Sequence, residues 1–151
     1  MEKYNELLKI AESLLIGIKQ EISILSNASA LLDMYLDDIN WVGFYLLKDN
    51  ELILGPFQGK PACTNIPLHK GVCGYCATKK ETIIVGNVHE FEGHIACDNA
   101  SNSEICIPIY KNNNFYGLLD IDSPIFNRFQ KNDQEYLEKF ILIIEEVLNK
   151  S

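Results

Sequence analysis

The sequence predicts an α+β fold in which N-terminal and C-terminal helices pack on a central, mainly antiparallel sheet. Two observations support this prediction. Apolar residues recur with helical spacing at both ends of the chain, and strand-like runs joined by short polar turns occupy the middle. The 151 residues match the usual size of one domain and contain no internal repeat, low-complexity run or linker. We therefore expect one folded unit.

Helices are predicted at the two ends of the chain. The second helix is predicted to begin near Asn27, a residue type suited to an N-cap, and to run through Leu36. The last helix begins at about Asn132 and has an apolar stripe from Leu137 to Leu148. The first helix is indicated by six apolar residues at helical spacing: Leu7, Leu8, Ala11, Leu14, Leu15 and Ile18.

The middle of the chain predicts two hairpins, with single strands and a short helix between them. Residues 87–102 have no clear period and are rich in His, Asn, Asp, Gly and Ser, which indicates a long functional loop. The predicted elements are a strand at 41–47 and its return at 52–54 across the turn 49–50, a strand at 63–67, a helix at 72–80, a strand at 82–85, and strands at 104–110 and 115–121 across the turn 111–114.

Composition and charge exclude several classes of partner. The formal net charge is −8, and there is no basic stripe with interleaved aromatic residues, so nucleic-acid binding is not expected. The N-terminus lacks the basic-then-apolar order of a secretory signal, and the longest apolar runs, such as 140–144, are too short to span a bilayer. We expect a cytoplasmic protein. Its five cysteines are then more typical of catalysis or metal binding than of a disulfide framework.

The cysteines differ in their sequence context. Cys106 lies in the apolar run Ile-Cys-Ile and is interpreted as a small buried hydrophobic residue. Cys63, Cys73 and Cys97 lie in polar or glycine-rich segments, where a buried structural role is less expected. Cys73 and Cys76 form a C-x-x-C motif, which occurs both in thioredoxin-like redox pairs and as half of a zinc site.

Neither interpretation of the C-x-x-C motif is complete. A thioredoxin-like pair opens a helix after the first strand of a βαβ unit, and no such unit precedes Cys73. A structural zinc site requires four ligands, and the second closely spaced pair is missing. His69, His89 and His94 complete such a site only with irregular spacing. We therefore assign no metal and no cofactor, and keep a small zinc-binding protein as an alternative.

Carboxylates and aromatic residues provide the clearest candidates for a ligand pocket. Asp120 and Asp122 are two residues apart in an apolar strand, so they share one face, with Glu104 able to lie beside them. Exposure of that face to solvent is the simple explanation. The alternative is that close, partly buried carboxylates raise one pKa and leave a protonated general acid near neutral pH. Trp41 and Tyr45 also share a face, either as core residues or as the wall of a pocket for a small, partly apolar ligand.

Seven segments together resemble the free methionine-R-sulfoxide reductases, which are built on the GAF fold. These segments cover nearly the whole chain after the first helix. They are Asn40-Trp41-Val42-Gly43-Phe44-Tyr45, Gly55-Pro56-Phe57-Gln58-Gly59-Lys60, Ala62-Cys63, Gly71-Val72-Cys73-Gly74, Gly93-His94-Ile95-Ala96-Cys97-Asp98, Ser103-Glu104-Ile105 and Leu119-Asp120-Ile121-Asp122-Ser123-Pro124.

The resemblance implies a single GAF domain over residues 1–151, with the N-terminal helices in 1–38 and the sheet, the active-site loops and the C-terminal helix in 41–150. It also implies reduction of the R epimer of free methionine sulfoxide to methionine, with thioredoxin as the reductant and a homodimer as the expected assembly. By position, Cys97 matches the attacking cysteine, and Cys63 and Cys73 match the cysteines that resolve or assist.

The remaining site residues also follow from the resemblance. Trp41 and Tyr45 match the aromatic residues around the methyl end of the substrate. Glu104, Asp120 and Asp122 match the acidic cluster that binds and protonates it. The chemistry agrees with the residues present, because a thiolate attacks a sulfoxide sulfur only when the oxygen is protonated or strongly hydrogen-bonded. The sulfenic acid that results is converted to a disulfide by a nearby thiol.

Two residues depart from the family pattern. Cys76 occupies the place of a small residue without a thiol, and Cys106 that of an aliphatic residue. A thiol at position 76 has the potential to divert the resolving disulfide. A GAF module that binds a small ligand without catalysis, for example a sensor, is a second alternative to the enzyme.

Overall fold

The computed structural model of the protein describes residues 2–93 and 100–151. In these residues no helix is long and apolar enough to cross a bilayer. The elements occur in the predicted order. They are α1 (Glu2–Leu15), α2 (Glu21–Tyr35), β1 (Trp41–Lys48), β2 (Glu51–Gly59), β3 (Asn65–Pro67), α3 (Gly71–Lys79), β4 (Ile83–Val85), a 3₁₀ turn (Val88–Glu90), β5 (Ser103–Lys111), β6 (Asn114–Ser123) and α4 (Lys131–Asn149).

The six strands form one sheet in the order β3-β2-β1-β6-β5-β4, and every neighbouring pair is antiparallel. The hairpins β1–β2 and β5–β6 are joined in the centre by pairing of β1 with β6. The predicted α+β fold with a central antiparallel sheet is therefore confirmed. Because β6 lies between two other strands, the carboxylates near its end are inside the sheet and not at an edge.

Some predicted boundaries are wrong. Helix α1 ends at Leu15, so Ile18 lies beyond it. Helix α2 begins at Glu21 and not near Asn27, which lies inside the helix. Buried Ile24 and Leu25 continue its apolar face toward the N-terminus, so packing against the core extends the helix past the polar residues that suggested a cap.

Strand β2 continues to Gly59 rather than ending at Leu54. Its pairing with β1 shifts register next to Gly55 and Pro56, because Tyr45 pairs with Leu54 whereas Gly43 pairs with Phe57. A bulge of this kind accommodates a proline, which has no N–H to donate to the ladder.

Alternating residues of each central strand belong to opposite faces of the sheet. In β1, Val42 and Phe44 belong to the apolar core that α1, α2 and α4 complete, and we call this side the helix face. Trp41 and Tyr45 belong to a second cluster, completed by α3, on what we call the pocket face. Burial of each large apolar side chain on the helix face contributes about 1.5–3 kcal/mol. The helix face therefore supplies much of the stability, and the pocket face contains the polar residues.

Candidate active site

A small cavity of about 50 Å³ lies on the pocket face, where β1, β5 and β6 approach the start of α3. All of the predicted acids and aromatic residues line it, and so does Cys73. The lining residues are Trp41, Tyr45, Pro61, Ala62, Ile66, Lys70, Gly71, Val72, Cys73, Ser101, Glu104, Asp120 and Asp122.

Strand register brings three acids together at the floor of the cavity. Glu104 of β5 pairs directly with Asp122 of β6, and Cys106 pairs with Asp120. On the other side of β6, Trp41 pairs with Asp122. Glu104 and Asp120 are only 6% and 5% exposed. The acids are therefore held together largely out of water.

Burial raises the pKa of Glu104 well above its ordinary value, and the charges of Asp120 and Asp122 raise it further. The raised pKa favours the protonated form of the Glu104 carboxyl. The sequence pattern predicts a raised pKa for one of the two aspartates with Glu104 beside them, and in the structure the pKa of Glu104 itself is raised.

The aromatic wall of the cavity is a stack of three rings. The Trp41 ring lies 5.9 Å from the Tyr45 ring and 5.2 Å from the Phe57 ring, measured between centroids. Gly43 makes this stack possible, because a Cβ at that position would lie 2.7 Å from the Trp41 ring and 2.3 Å from the Cβ of Phe57. Any larger residue at position 43 would displace the indole from the cavity.

The polar ends of the two aromatic residues hold the chain around Cys63. Trp41 Nε1 donates to the carbonyl oxygen of Lys60 at 3.1 Å, and the Tyr45 hydroxyl donates to the carbonyl oxygen of Cys63 at 2.9 Å. Burial, followed by the charge of Asp120, raises the pKa of Tyr45, so its hydroxyl stays protonated and able to donate. Tyr45 thus lines the cavity with its ring and positions Cys63 with its oxygen.

The predicted site cysteines differ in chemical state. Cys63 is half-buried and disulfide-bonded, whereas Cys73, Cys76 and Cys106 are buried free thiols. Cys97, the predicted nucleophile, lies outside the described residues. Ser101 lines the cavity and accepts a hydrogen bond from the Asn40 amide at 3.1 Å.

Cys73 lies against Cys106, with 3.6 Å between the two sulfurs. The hydrogen bond between them lowers the pKa of Cys73, but burial and the charges of Asp120 and Asp122 outweigh it and raise the pKa to about 12. Cys73 is therefore a neutral thiol at physiological pH, and its nucleophilicity is low.

Comparisons with known proteins agree with this geometry. The GAF domain family model matches residues 17–148. The free methionine-R-sulfoxide reductase of Escherichia coli is 47% identical over 147 residues, which are 97% of this chain and 89% of that protein. The chain belongs to the free methionine-R-sulfoxide reductase family.

Two solved structures of reductases in this family are also similar. The Staphylococcus aureus protein fRMsr, solved in complex with substrate, has a TM-score of 0.92 and 56% identity, with 96% of this chain and 95% of that chain covered. The free methionine-R-sulfoxide reductase from Neisseria meningitidis, in complex with its substrate, has a TM-score of 0.92 and 38% identity, with 96% of this chain and 87% of that chain covered. The resemblance inferred from the seven segments is thus confirmed.

The two residues that depart from the pattern of the reductase family differ in their surroundings. Cys76 is fully buried on α3, and its thiol donates to the carbonyl oxygen of Glu81 at 3.3 Å. Cys106 is also fully buried, as expected, but its sulfur lies 3.4 Å from Asp120 Oδ1 and 3.6 Å from Glu104 Oε2. It therefore belongs to the acidic cluster, which the apolar sequence around it did not suggest.

The backbone at the start of α3 also belongs to the site, in addition to the predicted Cys73. Lys70, Gly71 and Val72 line the cavity, and the first N–H groups of a helix have no partner within the helix. This arrangement favours an anionic group. Gly71 adopts a φ of 64°, which explains the glycine at this position. That the helix end faces the acids depends on tertiary packing and does not follow from the local sequence pattern.

Proposed function

We propose that the protein reduces the R epimer of free methionine sulfoxide to methionine in the cytoplasm, with thioredoxin as the reductant. The observation that carries the proposal is the convergence of buried acids, stacked aromatic rings and the Cys63 segment on one cavity. The names of the relatives from Escherichia coli and Neisseria meningitidis support the same reaction.

The cavity has a group suited to each part of a free amino-acid substrate. Asp120 and Asp122 attract the ammonium group, and the N-terminus of α3 with Lys70 attracts the carboxylate. The aromatic wall contacts the methyl end. Recognition of both backbone charges favours the free amino acid over a methionine sulfoxide within a peptide, in which those charges are absent.

The first chemical step combines a thiolate and an acid. The Cys97 thiolate attacks the sulfoxide sulfur, while a proton from the acidic cluster moves to the sulfoxide oxygen. This attack forms a bond between the two sulfurs. The hydroxyl group then moves to the Cys97 sulfur as the S–O bond of the substrate and the new S–S bond break, so methionine leaves and Cys97 is oxidised to a sulfenic acid. Glu104 is the proton donor that burial favours, because its carboxyl is held in the neutral form close to Asp120 and Asp122.

The second step regenerates the enzyme. The Cys63 thiol attacks the sulfenic sulfur of Cys97, so a disulfide forms and water leaves. The dithiol of thioredoxin then reduces this disulfide by exchange. Cys63 is favoured over Cys73 as the resolving residue because it is disulfide-bonded and less buried, whereas burial keeps the Cys73 thiol neutral.

We also propose that the protein forms a homodimer. Three large apolar side chains on the outer surfaces of α2 and α4 support this assembly. Ile22, Met34 and Leu142 are 68%, 70% and 63% exposed. Light scattering coupled to size-exclusion chromatography measures the assembly directly, and the mass of a single chain at micromolar concentration would contradict a dimer.

The reaction is tested by NADPH oxidation coupled through thioredoxin reductase and thioredoxin. We expect turnover with free methionine-R-sulfoxide, and little with the free S epimer or with a peptide-bound sulfoxide. Cys97→Ser should abolish turnover with the fold intact, because serine cannot form the sulfenic intermediate. Cys76→Ser is the matched control, since its hydroxyl can keep the hydrogen bond to Glu81.

Three outcomes would count against parts of the proposal. Tight binding of methionine sulfoxide without turnover would favour a sensor. Normal turnover by folded Cys97→Ser would move the nucleophile to another cysteine. After one equivalent of substrate without reductant, peptide mapping should find a disulfide between Cys97 and Cys63, and a bond from Cys97 to Cys73 or Cys76 would overturn the assignment of the resolving residue.

A further inference from the structure

The acidic cluster also contains two thiols, and the four groups face one another. Cys73, Glu104, Cys106 and Asp120 each place one sulfur or carboxylate oxygen within 4.8 Å of the other three. All four residues are at least nine-tenths buried. They come from three elements, α3, β5 and β6, so the cluster is formed by the tertiary fold and not by a local sequence motif.

The distances within this cluster match those between the ligands of a tetrahedral zinc ion. Bonds of about 2.3 Å to sulfur and about 2.1 Å to oxygen separate two sulfurs by about 3.8 Å and a sulfur from an oxygen by about 3.6 Å. Here the two sulfurs are 3.6 Å apart, and Cys106 Sγ lies 3.6 Å from Glu104 Oε2 and 3.4 Å from Asp120 Oδ1. Cys73 Sγ lies 3.8 Å from Glu104 Oε2.

We propose that Cys73, Glu104, Cys106 and Asp120 form a binding site for a thiophilic divalent cation of the zinc class. On binding, the cation displaces the thiol protons of Cys73 and Cys106. Two thiolate ligands then select zinc-like ions over magnesium or calcium, which prefer oxygen ligands alone. The cation enters through the cavity, which Cys73, Glu104 and Asp120 line, while Cys106 completes the ligand set from behind.

This site differs from the zinc site considered from the sequence. That site combined Cys73 with Cys76 and histidines, whereas the Cys76 thiol donates to a backbone carbonyl and is not part of the cluster. His69 is exposed and hydrogen-bonds Thr78. Cys106, which the sequence context marked only as a small apolar residue, supplies the second sulfur.

Metal binding is best measured on the full-length chain with Cys63→Ser and Cys97→Ser, because this background removes the proposed redox pair. The described free thiols are then Cys73, Cys76 and Cys106. Competition with a chromogenic chelator gives the affinity and stoichiometry for Zn²⁺. The ultraviolet thiolate-to-metal charge-transfer band of Cd²⁺ reports sulfur ligation.

Matched alanine variants of two fully buried cysteines provide the decisive comparison. Loss of a residue that only hydrogen-bonds a metal ligand weakens metal binding by roughly 10–100-fold. Cys106→Ala should weaken Zn²⁺ binding by more than this factor, and it should reduce the intensity of the Cd²⁺ charge-transfer band. Cys76→Ala should leave both unchanged. Cys106→Val, which fills the space of the thiol, replaces the alanine variant if that variant is unstable. Asp120→Asn replaces the anionic oxygen ligand by a neutral, weaker one without changing the size of the side chain.

The proposal is overturned if the background protein does not bind one Zn²⁺ per chain, or if the Cys106 and Cys76 variants bind it equally well. Competition between Zn²⁺ and methionine sulfoxide is a separate measurement, because it also rests on the proposed function. Zn²⁺ binding without such competition would support the metal site and count against the placement of the substrate. If Zn²⁺ competes with methionine sulfoxide but Cys106→Ala binds Zn²⁺ as tightly as the background protein, the metal site is overturned and the proposed function stays in place.

Discussion

The helix face and the pocket face of the sheet are built from alternate residues of the same strands, yet they differ in almost every physical property. On β6, Leu119 is fully buried among aliphatic and aromatic side chains, and its neighbour Asp120 is nearly as buried among acids and thiols. Neighbouring residues of a strand point to opposite faces of the sheet, so a shift of one residue in strand register would exchange the core residues for the site residues. Burial of acids close to one another is unfavourable, and the apolar helix face provides the stability that keeps them together on the pocket face.

The same contrast holds for individual carboxylates. Glu21, at the start of α2, accepts hydrogen bonds from Lys111 and Tyr116, and the hydrogen bond from Lys111 lowers its pKa. Glu104 lies among other acids, and burial raises its pKa. The first carboxylate stabilises the folded chain in its charged form, whereas the second is favoured in its neutral form, as a proton donor requires.

The largest expected effect is on turnover when the acids of the pocket face lose their titratable groups. Glu104→Gln and Asp120→Asn keep the size of each side chain but remove the carboxyl. A positioned general acid contributes about 10²–10⁴-fold to rate, so the variant that lacks the proton donor should lose turnover by that factor. The other should mainly raise KM, through lost contacts with the ammonium group.

Steady-state kinetics of both variants with free methionine-R-sulfoxide distinguishes the two roles. The wild-type rate should also fall at high pH as the acid ionises. If both variants keep near-normal kcat, and the pH profile from about 6 to about 9 is flat, the acids have no catalytic role and the proposed first step is wrong.

The second expected effect is on stability and comes from the helix face. Leu119→Ala should lower the free energy of unfolding by about 2–5 kcal/mol, because it removes buried methyl groups and leaves a cavity. Turnover per folded molecule should change little. Chemical denaturation and active-site titration measure the two quantities. A large loss of turnover per folded molecule in Leu119→Ala, with Asp120→Asn still active, would reverse the roles assigned to the two faces.

The sequence predicted features that depend on local pattern, and it missed those that depend on long-range packing. The order of elements, both hairpins and the shared face of Asp120 and Asp122 follow from periodicity. The contacts of Cys106 do not, because they depend on which residue of β6 pairs with it. The start of α2 was misplaced for a similar reason, since tertiary burial of Ile24 extended the helix.

A third effect is the pH dependence that Glu104 gives to stability. Its pKa is raised in the folded protein, so the acid favours folding only at low pH, and this contribution is lost as pH rises above the ordinary pKa of a glutamate. Near neutral pH, ionisation of the buried Glu104 therefore destabilises the folded protein relative to the unfolded chain, and Glu104→Gln removes this destabilisation. In the presence of a chelator, the variant should therefore unfold at a higher temperature than the wild type near pH 8, and the difference should shrink toward pH 4. Wild-type protein that is the more stable of the two at pH 8 would mean that the charged carboxylate is favourably paired.

The smallest expected effect concerns Glu21, the oppositely shifted carboxylate. Its pKa is lowered by the hydrogen bond from Lys111, so its contribution is present above its ordinary pKa of 4.5 and is lost as pH falls through the folded value. Its side chain is 39% exposed, and solvent screening limits such a pair to about 0–1 kcal/mol. Glu21→Gln should therefore lower the free energy of unfolding by less than about 1 kcal/mol at pH 7 and by nothing measurable near pH 3, as followed by urea denaturation at both values.

The change in stability expected for Glu21→Gln near neutral pH is opposite in sign to that expected for Glu104→Gln. If both glutamine variants shifted stability in the same direction there, the contrast between a carboxylate paired with a lysine and a buried carboxylate surrounded by other acids would not account for these pH effects.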